Sequence, residues 1–356
     1  MGEFMRLNVA VWGTGGVGSH AIRAIARRPD LDLVGVWVHS PEKVGVDAGT
    51  LVGIDPIGVI ATDDSDEILA RNLDCIVYTA SGPSLDAGAL PDYERFLRDG
   101  INVVTVTSPA LVYPPSYPER PRTRLEAAAQ ASGASLYASG IEPGFAADQF
   151  PLALLTLSSS IRSVRVQELF TYDTYPVEFT MREVFGFGKP MDHAPIMAST
   201  GAQLMTWGPV VQLVAAGLGV ELDEIRETWV QEPTPRDLDT AFGPVAAGTV
   251  GAVRFETIGV VNGRDAIVIE HINRLKMDLV PEWPSAPRDG TYRVIIEGEP
   301  NLHCELLVGS ATDYYEAGML ATAMRIVNAI PAVVDADPGL ISSLDLPLTT
   351  PRYAFD

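Results

Sequence analysis

The sequence predicts an α/β protein in two parts: an N-terminal doubly wound parallel sheet and a second, α+β domain with a largely antiparallel sheet. Three observations lead to this prediction. An apolar strand at residues 8–12 runs into a glycine-rich turn and then into a helix. Strand-like and helical runs then alternate as far as residue 138, which is typical of a parallel sheet with helices on both faces. After residue 145, strand-like runs follow one another with few helices between them, which indicates an antiparallel sheet.

The elements of the first part are short and closely spaced. Its predicted strands cover residues 8–12, 33–38, 59–61, 75–80, 102–107 and 135–138. Its predicted helices cover residues 19–28, 65–70, 93–99 and 122–132. Because ligands bind beyond the carboxyl ends of the strands in such sheets, we expect the functional residues at those ends.

The second part contains longer strands and one interrupted helical region. Its predicted strands cover residues 163–170, 227–231, 249–261, 265–275, 290–297 and 303–308. Its predicted helices cover residues 148–157 and 180–216, the latter broken at 186–188. The pair Asn262-Gly263 predicts a tight hairpin turn, and the long apolar helix at residues 316–330 is expected to return to the first part.

We therefore predict a first domain at residues 5–145, completed by residues 313–356, and a second domain at residues 146–312. The first domain is taken to start at residue 5 because Gly2-Glu3-Phe4 ahead of a second Met is typical of a cloning remnant. No internal repeat or low-complexity segment suggests a further division.

Composition limits the classes of partner. The 356 residues carry 25 Lys and Arg against 46 Asp and Glu, a formal net charge of -21. This charge argues against nucleic acid and anionic membranes as partners. No signal peptide or membrane-length apolar run is evident, so we expect a cytoplasmic protein. The two cysteines lie in apolar runs and the five histidines lack metal-ligand spacing, so we expect no disulfide and no metal site.

The glycine-rich turn has the pattern G-x-G-x-x-G between a strand and a helix, the context that makes this motif typical of a dinucleotide site. Gly13 permits the tight turn, Gly15 lets the backbone approach a pyrophosphate, and Gly18 permits close packing of helix and strand. The helix N-terminus offers N–H groups and a positive dipole end to phosphate. The alternative is an ordinary glycine-rich turn. The predicted cofactor-binding residues of the turn are Gly13, Thr14, Gly15, Gly16, Val17 and Gly18.

The end of the second strand indicates which nicotinamide cofactor binds. An NAD site usually places an acid there to bind the ribose 2′-hydroxyl, but this strand is followed by His39 and Ser40, with Lys43 shortly after. Ser40 and Lys43 could hold a 2′-phosphate, so we predict NADP(H) and include all three residues among the cofactor-binding ones. The alternative is that Lys43 is a solvated loop cation and the cofactor is NAD(H).

Further cofactor contacts are expected where the other strands of the first sheet end. The predicted residues there are Thr79, Ala80, Ser81, Thr107, Ser108 and Gly144. Ser108 has no histidine partner within sequence reach, so we reject a hydrolase triad.

Five segments of the chain carry a family pattern: residues 13–18, 38–45, 141–145, 186–188 and 328–333. Together they resemble the dihydrodipicolinate reductase-like superfamily, and within it the branch of 2,4-diaminopentanoate dehydrogenase and the native amine dehydrogenases. The resemblance covers almost the whole chain. It implies a Rossmann domain, an α+β substrate domain whose sheet helps to form a dimer, and hydride transfer from NAD(P)H.

Two departures from the family pattern bear on the substrate. Dihydrodipicolinate reductases carry a His-His pair with a nearby Lys, whereas residues 168–175 read Glu-Leu-Phe-Thr-Tyr-Asp-Thr-Tyr, so that activity is not expected. Amine dehydrogenases of this branch usually place a glutamate in the loop that reads Ser-Pro-Ala-Leu at residues 108–111 here, without an acid. The Asn of the family's Asn-Pro-Gly-Phe run is Glu142, so a carboxylate follows a neighbouring strand.

Three residues are candidates for the chemistry. Glu142 is the leading one, because a carboxylate beside the hydride donor could take a proton from an amine or support an iminium charge. Its alternative role is a salt bridge, or a cap for the helix near Asp148. Tyr172 and Asp173 follow the first strand of the second domain and could bind the substrate, with ordinary loop polarity as the alternative.

We predict an NAD(P)H-dependent, amine dehydrogenase-like oxidoreductase that transfers hydride to a small, largely uncharged carbonyl or imine. The alternatives are a non-catalytic NADP(H)-binding protein of the same fold and a carbonyl reductase without amination activity. The expected partners are a small carbonyl, imine or amine and a second copy of the chain, because exposed sheet edges are normally covered.

Overall fold

The computed structural model describes residues 6–80, 85–310 and 312–355. The expected chain start at residue 5 lies outside these residues. The chain divides into two compact units. Unit 1 combines the residues up to Phe145 with those from Met319 onward, and unit 2 is Ala146–Gly318.

The strands and helices are numbered separately in chain order. The strands are β1 Leu7–Trp12, β2 Leu31–Trp37, β3 Cys75–Tyr78, β4 Asn102–Thr105, β5 Ser135–Ala138, β6 Ser160–Thr171, β7 Glu224–Pro233, β8 Leu238–Thr240, β9 Gly243–Val245, β10 Val250–Val261, β11 Arg264–Arg274, β12 Thr291–Glu299, β13 Leu302–Leu307 and β14 Gly339–Ile341. The α-helices are α1 Gly16–Ile25, α2 Ala48–Leu51, α3 Ser65–Leu69, α4 Leu85–Arg98, α5 Glu119–Ser132, α6 Gln149–Leu155, α7 Ala202–Thr206, α8 Gly208–Leu218, α9 Tyr314–Val327 and α10 Ile330–Val334. Short helical turns occur at Pro41–Lys43, Pro109–Val112, Pro114–Ser116, Thr180–Val184 and Ile196–Ala198.

The sheet of unit 1 has the strand order β14-β5-β4-β3-β1-β2, and all its neighbouring strands are parallel. β3, β4 and β5 are buried along their whole length, as expected for parallel strands covered by helices on both faces. Along β1, Val9 and Val11 pack in a core that includes residues of α1, α9 and α10, whereas Ala10 and Trp12 pack in one that includes residues of α4 and α5. The predicted doubly wound parallel sheet is confirmed.

Unit 1 contains two short helices that were not predicted, α2 and α10, and it differs from the prediction at three further elements. The predicted strand at residues 59–61 is wrong, because the segment around Ile60 makes only isolated bridges. α4 begins at Leu85 rather than at residue 93, and it contains Pro91, which in a sequence usually marks the edge of a helix. β14 was not predicted, since three residues carry too short a pattern and only the pairing with β5 makes them a strand.

The six-stranded sheet of unit 2 has the order β13-β12-β6-β11-β10-β7. Its neighbours are antiparallel except for β6 and β11, which run parallel. The β10–β11 hairpin turns at Asn262 and Gly263, whose φ angles are 51° and 71°, the positive values that a type I′ turn requires. The predicted largely antiparallel sheet and its hairpin are confirmed. A second hairpin pairs β8 with β9.

The two faces of this sheet differ in chemistry. Side chains alternate along a strand, so residues 164, 166 and 168 of β6 face one side and residues 165 and 167 the other. The first side packs aromatic rings, as shown by Trp207 and Phe255, whose ring centroids lie 5.0 Å apart. The second side carries an ion-pair network in which Arg165 contacts two glutamates.

One described helical stretch, Tyr314–Val334, is long and apolar enough to cross a membrane by length and composition alone. Ile326, Val327 and Ile330 within it are fully buried in the core of unit 1. These three apolar side chains of the stretch therefore pack inside unit 1.

Candidate functional site

Two positions of the glycine-rich turn of unit 1 accept only glycine. Gly13 has a φ of 102°, and a Cβ there would lie 2.8 Å from the backbone nitrogen of Ala80. A Cβ on Gly18 would lie 2.1 Å from the carbonyl oxygen of Gly13. Thr79 at the end of β3 stabilises the turn, because its hydroxyl donates a hydrogen bond to the Gly13 carbonyl oxygen at 3.0 Å. The turn is thus locked against the end of β3.

The N-terminus of α1 is open for a ligand. Gly15 is the N-cap residue; no side chain caps the helix, and the first turn contains no acid. A Cβ on Gly15 would meet no heavy atom within 4 Å, and one on Gly16 would meet only the side chain of Met319, at 3.6 Å or more. Uncapped N–H groups at a helix start bind phosphate well. The residues present therefore fit the pyrophosphate of a dinucleotide.

The segment after β2 brings a cation to the glycine-rich turn. The Lys43 ammonium donates a hydrogen bond to the Thr14 hydroxyl at 3.0 Å, and no acid pairs with Lys43 within the described ranges. Ser40 precedes the short helical turn Pro41–Lys43, and its side chain does not cap that turn. His39 is exposed, with its ring 6.2 Å from that of Trp37.

The hydroxyl side chains at the ends of β3 and β4 have partners inside unit 1. Thr107 donates to the carbonyl oxygen of Ala80 at 2.8 Å. Ser108 is fully buried, and its hydroxyl lies 3.1 Å from that of Tyr93. The first bond joins the two strand ends, the second joins the end of β4 to α4, and contact of these residues with a cofactor stays a prediction. Ser81, also predicted there, lies outside the described residues.

The loop Ile141–Phe145 after β5 is fixed by α9. The Ile141 N–H donates to the Thr322 hydroxyl at 3.4 Å. Arg325, 8% exposed, donates to the Ser139 hydroxyl at 3.2 Å just before the loop. Gly144 has a φ of 144°, and a Cβ there would lie 3.0 Å from the Ser139 hydroxyl oxygen.

Glu142 lies within this fixed loop. Its backbone is extended, with φ -156° and ψ 119°, and its peptide bond to Pro143 is cis. Both carboxylate oxygens are buried. The predicted acid–base candidate therefore has its carboxylate out of bulk solvent.

Tyr172 of unit 2 contacts a carboxylate that was not among the predicted site residues. Its hydroxyl donates to Glu168 Oε1 at 2.8 Å. Glu168 is 8% exposed, and burial raises its pKa to about 7, although hydrogen bonds from Tyr172, Tyr292 and Asn273 act in the opposite direction. The signal in the sequence was an acid at a position of β6 that should carry an apolar side chain, since Val164 and Val166 precede it on that face.

Asp173 lies in a different environment from Tyr172. Its carboxylate forms an ion pair with the Lys276 ammonium at 2.5 Å and accepts a hydrogen bond from Thr171 at 3.4 Å. The two neighbouring candidates thus have separate partners: Tyr172 joins Glu168, and Asp173 joins Lys276.

His271 of β11 lies opposite Glu168 in the strand register. Burial lowers its pKa to about 3, and its ring stacks on Phe255 with centroids 4.5 Å apart. No group of three potential metal ligands occurs in the described part of the chain.

Comparisons with known proteins agree with this architecture. A family model described as the 2,4-diaminopentanoate dehydrogenase C-terminal domain matches residues 158–353. A second, described as the N-terminus of dihydrodipicolinate reductase, matches residues 7–87. An amine dehydrogenase of Streptomyces virginiae is 43% identical over 355 residues, which cover 96% of each chain.

More distant relatives extend the same picture. The 2,4-diaminopentanoate dehydrogenase of Acetoanaerobium sticklandii is 22% identical over 354 residues, 96% of this chain and 94% of that one. The solved amine dehydrogenase of Mycobacterium smegmatis has the same fold, with a TM-score of 0.79, 22% identity and 98% of each chain covered. The chain therefore belongs to the dihydrodipicolinate reductase-like superfamily, in the branch of the amine dehydrogenases and 2,4-diaminopentanoate dehydrogenase, and is an NAD(P)-dependent oxidoreductase.

Proposed function

We propose that this protein is an NADP(H)-dependent amine dehydrogenase that interconverts a small, largely uncharged carbonyl compound and the corresponding primary amine. The observation that carries the proposal is the 43% identity to an amine dehydrogenase over 96% of both chains. When bound, the nicotinamide supplies or accepts the hydride. Unit 1 binds the cofactor, and unit 2 binds the substrate.

The direct test is the consumption of NADPH by the purified protein with small neutral ketones, such as cyclohexanone, with and without ammonium chloride. An amine dehydrogenase consumes NADPH only when ammonium is present. Equal consumption without ammonium would make the protein a carbonyl reductase. NADPH binding without consumption under either condition would make it a non-catalytic nucleotide-binding protein.

The preference for NADP(H) is supported by the segment after β2. Lys43 lies beside the glycine-rich turn because it donates a hydrogen bond to Thr14. The Ser40 hydroxyl does not cap the helical turn that follows it. The end of β2 also has no acid that could bind a ribose hydroxyl. In this proposal, Lys43 and Ser40 hold the 2′-phosphate through charge-assisted hydrogen bonds.

The double variant S40A/K43A tests this preference. NADPH binding should weaken by roughly 1–3 kcal/mol, the contribution of hydrogen bonds to a charged group, while NADH binding changes little. Titration of intrinsic fluorescence measures both affinities. Lys189→Ala serves as a control, because Lys189 belongs to unit 2 and pairs with Glu183. Equal weakening of both cofactors, or tighter NADH binding by the parent protein, would contradict the NADP(H) preference.

Glu142 is the group we propose for proton transfer at the amine nitrogen. Support comes from its place in a loop that α9 holds through Thr322 and from the burial of both carboxylate oxygens. Tyr172 is proposed as a hydrogen-bonding partner of the substrate. Asp173 is proposed to contact the substrate as well. Its ion pair with Lys276 indicates that Asp173 also stabilises the fold of unit 2.

Glu142→Gln should lower the turnover rate by roughly 10²–10⁴-fold, the usual contribution of a general acid or base. The affinity for NADPH and the melting temperature should stay close to those of the parent protein. Glu119→Gln, at the exposed start of α5, is the control for loss of a carboxylate. Unchanged turnover with a lowered melting temperature would assign Glu142 to a structural role.

We also propose a homodimer formed through unit 2. The edge strands β7 and β13 contain only exposed and half-buried residues, and sheet edges that are left open are usually covered. Light scattering at micromolar concentration should give twice the chain mass, and a monomer would contradict the proposal. The cytoplasmic location stays a prediction.

A further inference from the structure

The aromatic face of the unit 2 sheet contains a buried carboxylate that no cation neutralises. Within the described part of the chain, no Lys, Arg or His forms an ion pair with Glu168. Its partners are neutral: the Tyr172 hydroxyl donates at 2.8 Å, and Tyr292 and Asn273 lie close enough to stabilise the charged form. Buried charges in proteins are normally paired, so this one is unusual.

Asn273 is a second polar group at the same place without full satisfaction. It is completely buried, and its amide oxygen has no hydrogen-bond partner among the described residues. A buried polar group left in this state destabilises the fold and calls for an explanation. A ligand that donates hydrogen bonds would satisfy both the amide oxygen of Asn273 and the carboxylate of Glu168.

Aromatic rings complete the surroundings on this face. The ring of Tyr172 lies 5.8 Å from that of Tyr175, 6.1 Å from Phe185 and 6.3 Å from Phe170. Phe170 in turn lies 5.0 Å from Tyr292. Rings grouped around a carboxylate favour a cation, which is attracted to ring faces as well as to the negative charge.

We propose that Glu168 and Asn273, with the rings of Tyr172 and Tyr292, form a binding subsite for an ammonium group. The inference rests on the proposed function, since an amine dehydrogenase must bind an amine, and primary amines are protonated at neutral pH. The group could belong to an alkylammonium substrate or be a free ammonium ion. The chemistry is the same: a compact cation with several N–H donors. This assignment places a carboxylate for the amine in unit 2, whereas the loop at residues 108–111 has none.

The test is equilibrium binding without turnover. Calorimetry at pH 8 measures the binding of n-hexylamine, of 1-hexanol, which has the same chain without the charge, and of ammonium chloride against sodium chloride at equal ionic strength. Hexylamine should bind at least about tenfold more tightly than hexanol, because hydrogen bonds to a charged group contribute about 1.5–3 kcal/mol. Binding of ammonium chloride as well would show that the free ion also uses the subsite, and its failure to bind would assign the subsite to alkylammonium alone.

Glu168→Gln keeps the side-chain shape and removes the charge, and it should weaken hexylamine binding by about 10–100-fold. Glu305→Gln is the matched control, because Glu305 lies in the same sheet and pairs with Arg293. If Glu168→Gln fails to fold, Asn273→Ala replaces it, with an expected loss of about 5–10-fold for one hydrogen bond.

The pH dependence gives an independent reading. The titratable groups around Glu168 are Tyr172 and Tyr292, with His271 opposite it on β11 and Tyr175 beside Tyr172. Burial raises the pKa values of Tyr172 and Tyr175 and lowers that of His271 to about 3. Glu168, with a pKa of about 7, is then the group that titrates, and hexylamine binding should weaken about tenfold from pH 8 to pH 6 in the parent protein only.

Three results would overturn the subsite: equal binding of hexanol and hexylamine, unchanged hexylamine binding in a folded Glu168→Gln variant, or an equal loss in Glu305→Gln. The outcome is separate from that of the proposed function. Amine turnover together with unchanged hexylamine binding in Glu168→Gln rejects the subsite alone. Hexylamine binding as expected, with no turnover of any amine or carbonyl, rejects the proposed function alone.

Discussion

The two faces of the unit 2 sheet hold buried glutamates in opposite ways. On one face, the side chain of Glu270 is fully buried and contacts the guanidinium groups of Arg165 and Arg254, each at 2.6 Å. Gln167 donates a further hydrogen bond to it at 2.7 Å. On the other face, Glu168 is nearly as buried and is contacted by neutral groups only.

This difference separates a structural charge from one available for binding. A carboxylate between two arginines is already compensated, so a ligand cation would gain little from it. A carboxylate held by tyrosine hydroxyls is oriented without being neutralised, and its charged form stays unfavourable until a cation or a proton arrives. The neighbouring strands β6 and β11 thus each carry a buried glutamate, and only Glu270 of β11 is already neutralised by arginines.

The largest expected effect is on the pH dependence of stability. Because the folded-state pKa of Glu168 is raised to about 7 from an ordinary value of 4.5, its contribution is fully present below pH 4.5 and is lost as the pH rises through 7. The loss corresponds to about 3 kcal/mol. Relative to the parent protein, Glu168→Gln should therefore be about equally stable near pH 4.5 and more stable above pH 7.

Urea unfolding of both proteins across this pH range, without an amine present, measures the difference. Comparing the two proteins cancels the titration of the other carboxyl groups. A difference that stays constant with pH would show that Glu168 is ionised in the folded protein as readily as in the unfolded chain. The two faces of the sheet would then hold their acids alike.

The second effect is on the charged face. Glu270→Gln leaves Arg165 and Arg254 without their shared carboxylate, and we expect a loss of about 2–3 kcal/mol in the free energy of unfolding at pH 7. The value is below that of a completely buried pair because the two arginine side chains are 32% and 34% exposed. Urea unfolding measures it, and a change under about 1 kcal/mol would mean that Arg165 is sufficiently neutralised by Glu256.

The smallest effect sharpens the aromatic face. Tyr172→Phe removes one hydroxyl that donates to Glu168, so stability should fall by about 0.5–1.5 kcal/mol. Because that hydrogen bond favours the charged carboxylate, its loss should raise the pKa of Glu168 further. The difference in stability between Tyr172→Phe and the double variant Glu168→Gln/Tyr172→Phe should therefore develop at a higher pH than the difference between the parent protein and Glu168→Gln. Tyr314→Phe is the control, since its hydroxyl contacts Thr171 instead. An equal shift of the Glu168 pKa in Tyr172→Phe and Tyr314→Phe would show that Tyr172 has no specific effect on Glu168.

Most of the fold could be predicted from the sequence because its signals are local. The buried strands β3, β4 and β5 are short, mostly apolar runs, and Asn262-Gly263 has the chemistry of a tight turn. Elements without such a signal were missed. β14 needs the edge of β5 to exist as a strand, and α4 extends through a proline that local propensity places at a helix boundary.

One part of the candidate site could likewise be predicted from local sequence, and another part could not. The glycine-rich turn could be recognised by itself, because a strand, a turn and a helix adjacent in sequence create the open helix end and the close approach at Gly13 and Gly18. The setting of Glu168 could not be, because Asn273 and Tyr292 reach it only through the pairing of β6 with β11 and β12. Sheet register decides which distant residues become neighbours, and burial then decides what a carboxylate among them can do.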